Sequence, residues 1–209
     1  MKPIVRRVVC LAVLISPLAL GSGCVVSDNP LSDPEKATPD EELFGVWKIA
    51  DEKGIGYSAV GRVDQRKSRG IPEGMMKFTN CRIDRKTSVV TGGTGLGFPT
   101  VIGESRYLNI VVLNPPATEE FQAGKWTWDK NDLKAYWIVK YQIKNDQLML
   151  FNGDNVAINE AIRAGKIKGE GNGEGSRLTD TTDNLFRFFK QEGHRIYLPK
   201  PAATHTKVY

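Results

Sequence analysis

The side chains that could do acid–base, nucleophilic or metal chemistry are few and far apart in this 209-residue chain. Its histidines are His194 and His205, both near the C-terminal end, and its cysteines are Cys10, Cys24 and Cys81. No combination of them has the spacing of a zinc site, so no metal is expected. The chain has neither a Gly-x-Ser-x-Gly elbow nor a His-Glu-x-x-His helix, which excludes the commonest hydrolase signatures. Carboxylates are more plentiful, and glycoside cleavage needs only two at a suitable separation. Glu119, Glu120, Asp129, Asp132, Asp154, Asp180 and Asp183 are the candidates. Asp154 and Asp180 stand where helix caps are needed and Asp129 and Asp132 in a turn, so structural roles account for these four. His194 follows a helix-ending glycine, where it can meet the last carbonyls of that helix. His205 falls in a terminal segment expected to lack order, and Cys81 reads as a small apolar residue in a strand.

Two glycine-rich runs, Thr91 to Gly97 and Gly165 to Gly175, invite comparison with phosphate-binding loops. A P-loop needs Gly-Lys-Ser/Thr leading into a helix, and neither run supplies it. Both read as flexible hairpin loops. No cofactor is implied.

The first residues carry a different kind of chemistry. Lys2, Arg6 and Arg7 form a basic region, Val8 to Leu20 an apolar one, and Gly21-Ser22-Gly23-Cys24 a run of small residues ending in a thiol. This arrangement resembles a bacterial lipoprotein leader, with Gly21 at a position commonly held by Leu. The resemblance implies cleavage before Cys24, a diacylglyceryl thioether on its sulfur, and an acyl chain such as palmitate on the new amino terminus. The protein would then be tethered to the cell envelope through that lipid. In such lipoproteins an Asp after the Cys signals inner-membrane retention; Val25 stands there, which favours the outer membrane of a two-membrane bacterium. An ordinary cleaved signal peptide and an uncleaved anchor from about Val8 to Val26 are the alternatives.

Charge bears on partners. Three of the 29 basic residues lie in the leader and none of the 24 acidic ones, leaving +2 for the rest. That is no footprint for nucleic acid. Arg62, Arg66, Lys67 and Arg69 cluster in one loop and could meet anionic headgroups or an acidic partner, although a solvated loop also accounts for them. Trp126 and Trp128, two apart in an expected strand over 124–128, would share a face that contacts a ligand or fills a core.

The elements that must position these residues are mostly strands. The expected organisation is a leader over 1–23, the lipidated Cys and a flexible, proline-punctuated tether over 24–41, a single β-rich domain over 42–200, and a tail over 201–209. Strands are expected near 42–49, 55–63, 74–83, 87–92, 106–113, 135–143 and 147–152. The clearest alternation places Trp137, Val139, Tyr141 and Ile143 on one face and Tyr136, Ile138, Lys140 and Gln142 on the other. Asn145-Asp146 then turns the chain into Gln147 to Phe151. Two short helices follow in the C-terminal third, one capped by Asp154-Asn155 with Ile158, Ala161 and Ile162 inward, the other starting near Asp180-Thr181-Thr182-Asp183 with Leu185, Phe188 and Phe189 inward.

Leu43-Phe44-Gly45-Val46-Trp47 resembles the Gly-x-Trp opening strand of lipocalin-like barrels, in which the Trp closes the barrel bottom. The chain is thus expected to be mainly β with added α, an antiparallel, strongly curved sheet or lipocalin-like barrel of about eight to ten strands. The leading functional expectation is a noncatalytic envelope lipoprotein that binds a small apolar ligand or an envelope protein. An assembly lipoprotein acting through a surface patch is the alternative, and a carboxylate-dependent hydrolase a third. A ligand carrier should enclose an apolar cavity of several hundred Å³. Oligomeric state is not legible.

Overall fold

Alternating apolar residues and tight turns bring eight strands together in chain order and close them on themselves. The computed structural model describes residues 25–65, 70–122, 124, 126–171 and 175–209. Short strand β1 (Val25–Ser27) comes first, and the barrel opens with β2 (Gly45–Asp51), followed by β3 (Gly54–Arg62), β4 (Met76–Asp84), β5 (Val90–Ile102) and β6 (Ser105–Leu113). Helix α1 (Pro115–Gln122) leads to β7 (Leu133–Lys144) and β8 (Gln147–Phe151). After α2 (Asn155–Arg163), β9 (Gly169–Gly171), β10 (Ser176–Leu178) and α3 (Thr182–Glu192), strand β11 (Ala203–Lys207) pairs with both β8 and β2. Pairing of β6 with β7 completes a closed, antiparallel, up-and-down barrel of eight strands: β2 to β8 and β11. Closure removes the exposed edges of an open sheet.

The strongest hairpin expected from the sequence is present. Asn145 and Asp146 have φ of 51° and 57°, the paired left-handed conformation that matches strand twist in a two-residue turn. Lys144 and Gln147 pair across it. The two C-terminal helices also form as their caps dictate. Asp154 accepts from the backbone N–H groups of Val156 and Ala157, and Thr181 accepts from Asn184.

Several expectations are corrected. The last nine residues are not a free tail, because β11 is the strand that closes the barrel. Thr91 to Gly97 is not a loop but part of the longest strand, β5. Residues 126–128 form no strand. Residues 25–40, expected as a tether, contain β1, a fully buried Leu31 and a 3₁₀ turn at Pro34–Lys36. They are held by Asn109, itself fully buried, whose Oδ1 accepts from the Leu31 N–H at 2.8 Å while its Nδ2 donates to Thr100 Oγ1 at 2.8 Å. Helix α1 was not anticipated; Pro115 at its first position is the signal that could have revealed it.

Along β7, one edge pairs with β6 throughout, while the other pairs with β8 over Lys140–Lys144 and with β1 over Tyr136–Ile138. A wing of β1, β10 and β9 therefore extends from the barrel where β8 turns away into α2. Under this wing, Leu185, Phe188 and Phe189 of α3 pack on Ile102, Tyr107 and Ile138, which point outward from the barrel. Phe189 meets Tyr107 edge-on at 5.4 Å. A second outer cluster lies under α1, where Leu96, Phe98, Val111 and Tyr136 pack with Ala117 and Trp126. The helices thus buttress the outside of the barrel and leave its lumen to the strands.

Candidate functional site

Lumen-facing residues are fixed by register. Trp47 and Ile49 of β2 lie inward, as do Ser58 and Val60 of β3, Met76, Phe78 and Asn80 of β4, Leu108 and Ile110 of β6, and Trp137, Val139 and Tyr141 of β7. Across from Met76, Phe78 and Asn80 stand Gly97, Gly95 and Gly93. The glycine run of β5 thus puts three residues without side chains against the lumen.

One end of the barrel is plugged. Trp47, wholly buried, packs with Leu43, Met76, Leu108 and Tyr141, and its Nε1 donates to Leu43 O at 2.7 Å. The segment before β2 crosses this end to the far wall: Tyr141 donates to Asp40 Oδ2 at 2.7 Å, and Arg106 bonds Asp40 and Glu42. Burial, reinforced by the Asp40 carboxylate, pushes the Tyr141 phenol well above its ordinary range. Lys207 Nζ lies 5.1 Å from the Trp47 ring centroid. Gly45, at φ 127°, leaves room for the chain terminus; a Cβ there would lie 2.1 Å from Tyr209 O.

The other half of the lumen is hollow. Phe78, Ile110, Trp137 and Leu150 face inward yet are only half-buried. With Leu43, Val60, Leu108, Val139 and Leu148 they line an apolar cavity of about 110 Å³. Its polar lining is Ser58, Asn80 and His205. A cleft of about 140 Å³ shares Gly95 and Trp137 with it and runs beneath Thr118, Phe121 and Gln122 of α1. The lumen cavity is smaller than the several hundred Å³ expected of a carrier, and of the order of the ~150 Å³ apolar cavity that holds a benzene ring.

His205 was missed as a site residue because its surroundings come from six other strands. It projects from β11 opposite Leu148 and is 2% exposed. Neither ring nitrogen has a hydrogen-bond partner. Burial alone lowers its pKa to about 4, which keeps the ring neutral near neutral pH.

No family model, no curated protein and no solved structure matches the chain.

The residues singled out from sequence are placed elsewhere. Cys24, Arg66, Lys67 and Arg69 lie outside the described residues. Arg62 forms an ion pair with Glu41 and sits 5.4 Å from the Phe44 ring centroid, at the plugged end. Trp126 is buried outside the barrel, donating from Nε1 to Asp132 Oδ2 at 2.7 Å and meeting Phe121 and Trp128 edge-on, each at 5.8 Å. Neither Trp126 nor Trp128 lines the lumen cavity. Several of the carboxylates do structural work, while Glu119 and Glu120 are exposed on α1. Asp129 caps a 3₁₀ turn, Asp154 caps α2, and Asp180 accepts from Lys168 N, Thr181 N and Asn184 Nδ2. Burial would raise the Asp180 pKa, but those hydrogen bonds outweigh it and hold the carboxyl below its usual range. Among the described residues no group of His, Cys, Asp and Glu could hold a metal ion, and no helix is long and apolar enough to cross a membrane.

Proposed function

We propose that this chain is a noncatalytic, lipid-anchored envelope protein whose barrel binds a small, mainly apolar ligand. The observation that carries the reading is the half-empty lumen, in which aromatic and aliphatic side chains face inward and stay half-exposed opposite a row of glycines. Leaving such a surface unfilled forgoes burial worth roughly 25 cal/mol per Å² of apolar area, so an apolar occupant gains what the fold does not use. The plugged end and the up-and-down order of the strands are compatible with a ligand-binding barrel.

The test is to purify the protein from its native envelope, extract it and identify what is released by mass spectrometry. Gly95→Leu should place a side chain between Phe78 and Trp137 and abolish retention of the released compound, while circular dichroism stays unchanged. Equal retention by the variant would remove the lumen from consideration. The anchor has its own test: labelled palmitate should be incorporated by the wild type and lost in Cys24→Ser, and labelling of both would place the lipid elsewhere.

A second reading rests on the outer surface. Ile55, Ile83 and Val90 are adjacent across β3, β4 and β5, and together with Tyr57 and Val89 they are exposed. Such a patch suits an assembly role through contact with an envelope partner.

A further inference from the structure

A buried side chain with two unused hydrogen-bonding atoms in an apolar cavity needs an explanation. In a neutral imidazole one nitrogen donates and the other accepts. Leaving a buried polar atom unpaired forfeits the hydrogen bonds it makes to water in the unfolded chain. The fold places both nitrogens of His205 in this condition, inside a cavity whose other walls are almost wholly aliphatic and aromatic.

The cavity also limits what could pair with the ring. Its lining contains no Lys or Arg, so a phosphate or sulfonate head would find no counter-charge. It contains no Asp or Glu, so an amine head is equally unsupported. Arg82, bonded to Asp51, and Lys207, over Trp47, are not part of the lining. A hydrocarbon would fill the space and leave both nitrogens unpaired. An O–H group can donate to the bare nitrogen or accept from the protonated one, and Ser58 and Asn80 offer it further partners in the same lining.

We propose that His205 is the polar anchor of a lumen site for a small amphiphile: an apolar body carrying one uncharged hydroxyl group. This rests on the reading of the barrel as a ligand container and adds the ligand's head group to it. The apolar walls hold the body, and the imidazole selects for the oxygen head.

The experiment uses toluene, phenol and benzoate as probes near neutral pH, which share a ring and differ in the head. Binding is measured by titration followed through Trp137 side-chain resonances, on the wild type and on His205→Leu and His205→Gln. The wild type should bind phenol roughly ten- to a hundredfold more tightly than toluene and should exclude benzoate, whose charge finds no partner in the lining. His205→Leu should lose that preference and keep toluene, and His205→Gln should retain part of it. In the wild type alone, the ¹⁵N shifts of the His205 ring should move with phenol and stay put with toluene, a readout independent of whether either variant folds. Equal affinity for phenol and toluene, with an unmoved ring, would overturn the anchor and leave the apolar container standing. Exclusion of every probe from the wild type would overturn the container as well. Tighter binding of benzoate than of phenol would overturn the uncharged head.

Discussion

Lowering the pH from about 6.5 to about 4 is expected to remove about 3 kcal/mol of folding stability through His205 alone. In the unfolded chain the imidazole titrates near its ordinary value of about 6.5. In the native barrel, burial lowers it to about 4. Between those values the unfolded chain binds a proton that the folded chain refuses, so stability falls as pH falls. The contribution is complete above the upper value and fully lost below the lower one. The carboxylates act in a different window. Asp180 and Asp51, where hydrogen bonds outweigh burial, are held below their usual range, as are Asp84, by its bonds from Thr87, and Glu192, by Lys166. Their contributions are complete above the ordinary carboxylate range and are lost progressively as pH falls through it to the lowered values. Urea midpoints between pH 7 and pH 4.5 should therefore shift in the wild type and flatten in His205→Leu. Parallel slopes for the two would show that the ring is hydrated in the native state. The same physics couples acid to the ligand site: a protonated ring can only donate, so a head group that donates to it should be released as the pH falls.

What the sequence revealed was local. The β7–β8 hairpin could be read because Asn145-Asp146 tolerates the left-handed backbone and a two-residue period flanks it on both sides. The cap of α2 could be read because Asp154 acts on N–H groups two or three residues away; at α3 the cap is Thr181, one residue beyond the Asp180 expected there. The barrel itself was legible as a curved sheet, since Gly45-Val46-Trp47 and the turn spacing point to it. What escaped depended on distant partners. Three residues of β1 are a strand only because β7 has an edge free where β8 departs. The glycines of β5 have the composition of a loop, and only pairing with β4 and β6 makes them the thin wall of a cavity. His205 carries no local signal at all, being an ordinary residue in a five-residue strand until the barrel closes around it. Trp126 and Trp128, expected to share a face of a strand, lie instead in the connection between α1 and a 3₁₀ turn, so they pack outside the barrel and not within it.

Trp47→Ala is expected to cost about 3–5 kcal/mol, the range for deleting a large aromatic side chain from a core. For a chain of this size that lowers the melting temperature by roughly 10 °C or more. The loss has three parts. The cavity opens among Leu43, Met76, Leu108 and Tyr141; the Leu43 carbonyl loses its indole donor; and Lys207 loses the ring face it covers. Trp47→Phe separates them, since it keeps most of the volume and a ring for Lys207 but removes the N–H, and should cost about 1–2 kcal/mol. Urea denaturation followed by circular dichroism checks both values. A loss below about 1 kcal/mol for Trp47→Ala would mean that the Asp40–Tyr141 and Arg106–Glu42 bonds hold this end without the plug. Trp47 does not itself line the lumen cavity, and the space its removal opens adjoins that cavity at Leu43 and Leu108, so Trp47→Ala should still admit the apolar probe well below its lowered transition. Gly95→Leu should do the reverse, losing binding with little change in stability. That opposite pair of outcomes would separate the end of the barrel that makes the fold from the end that leaves it open.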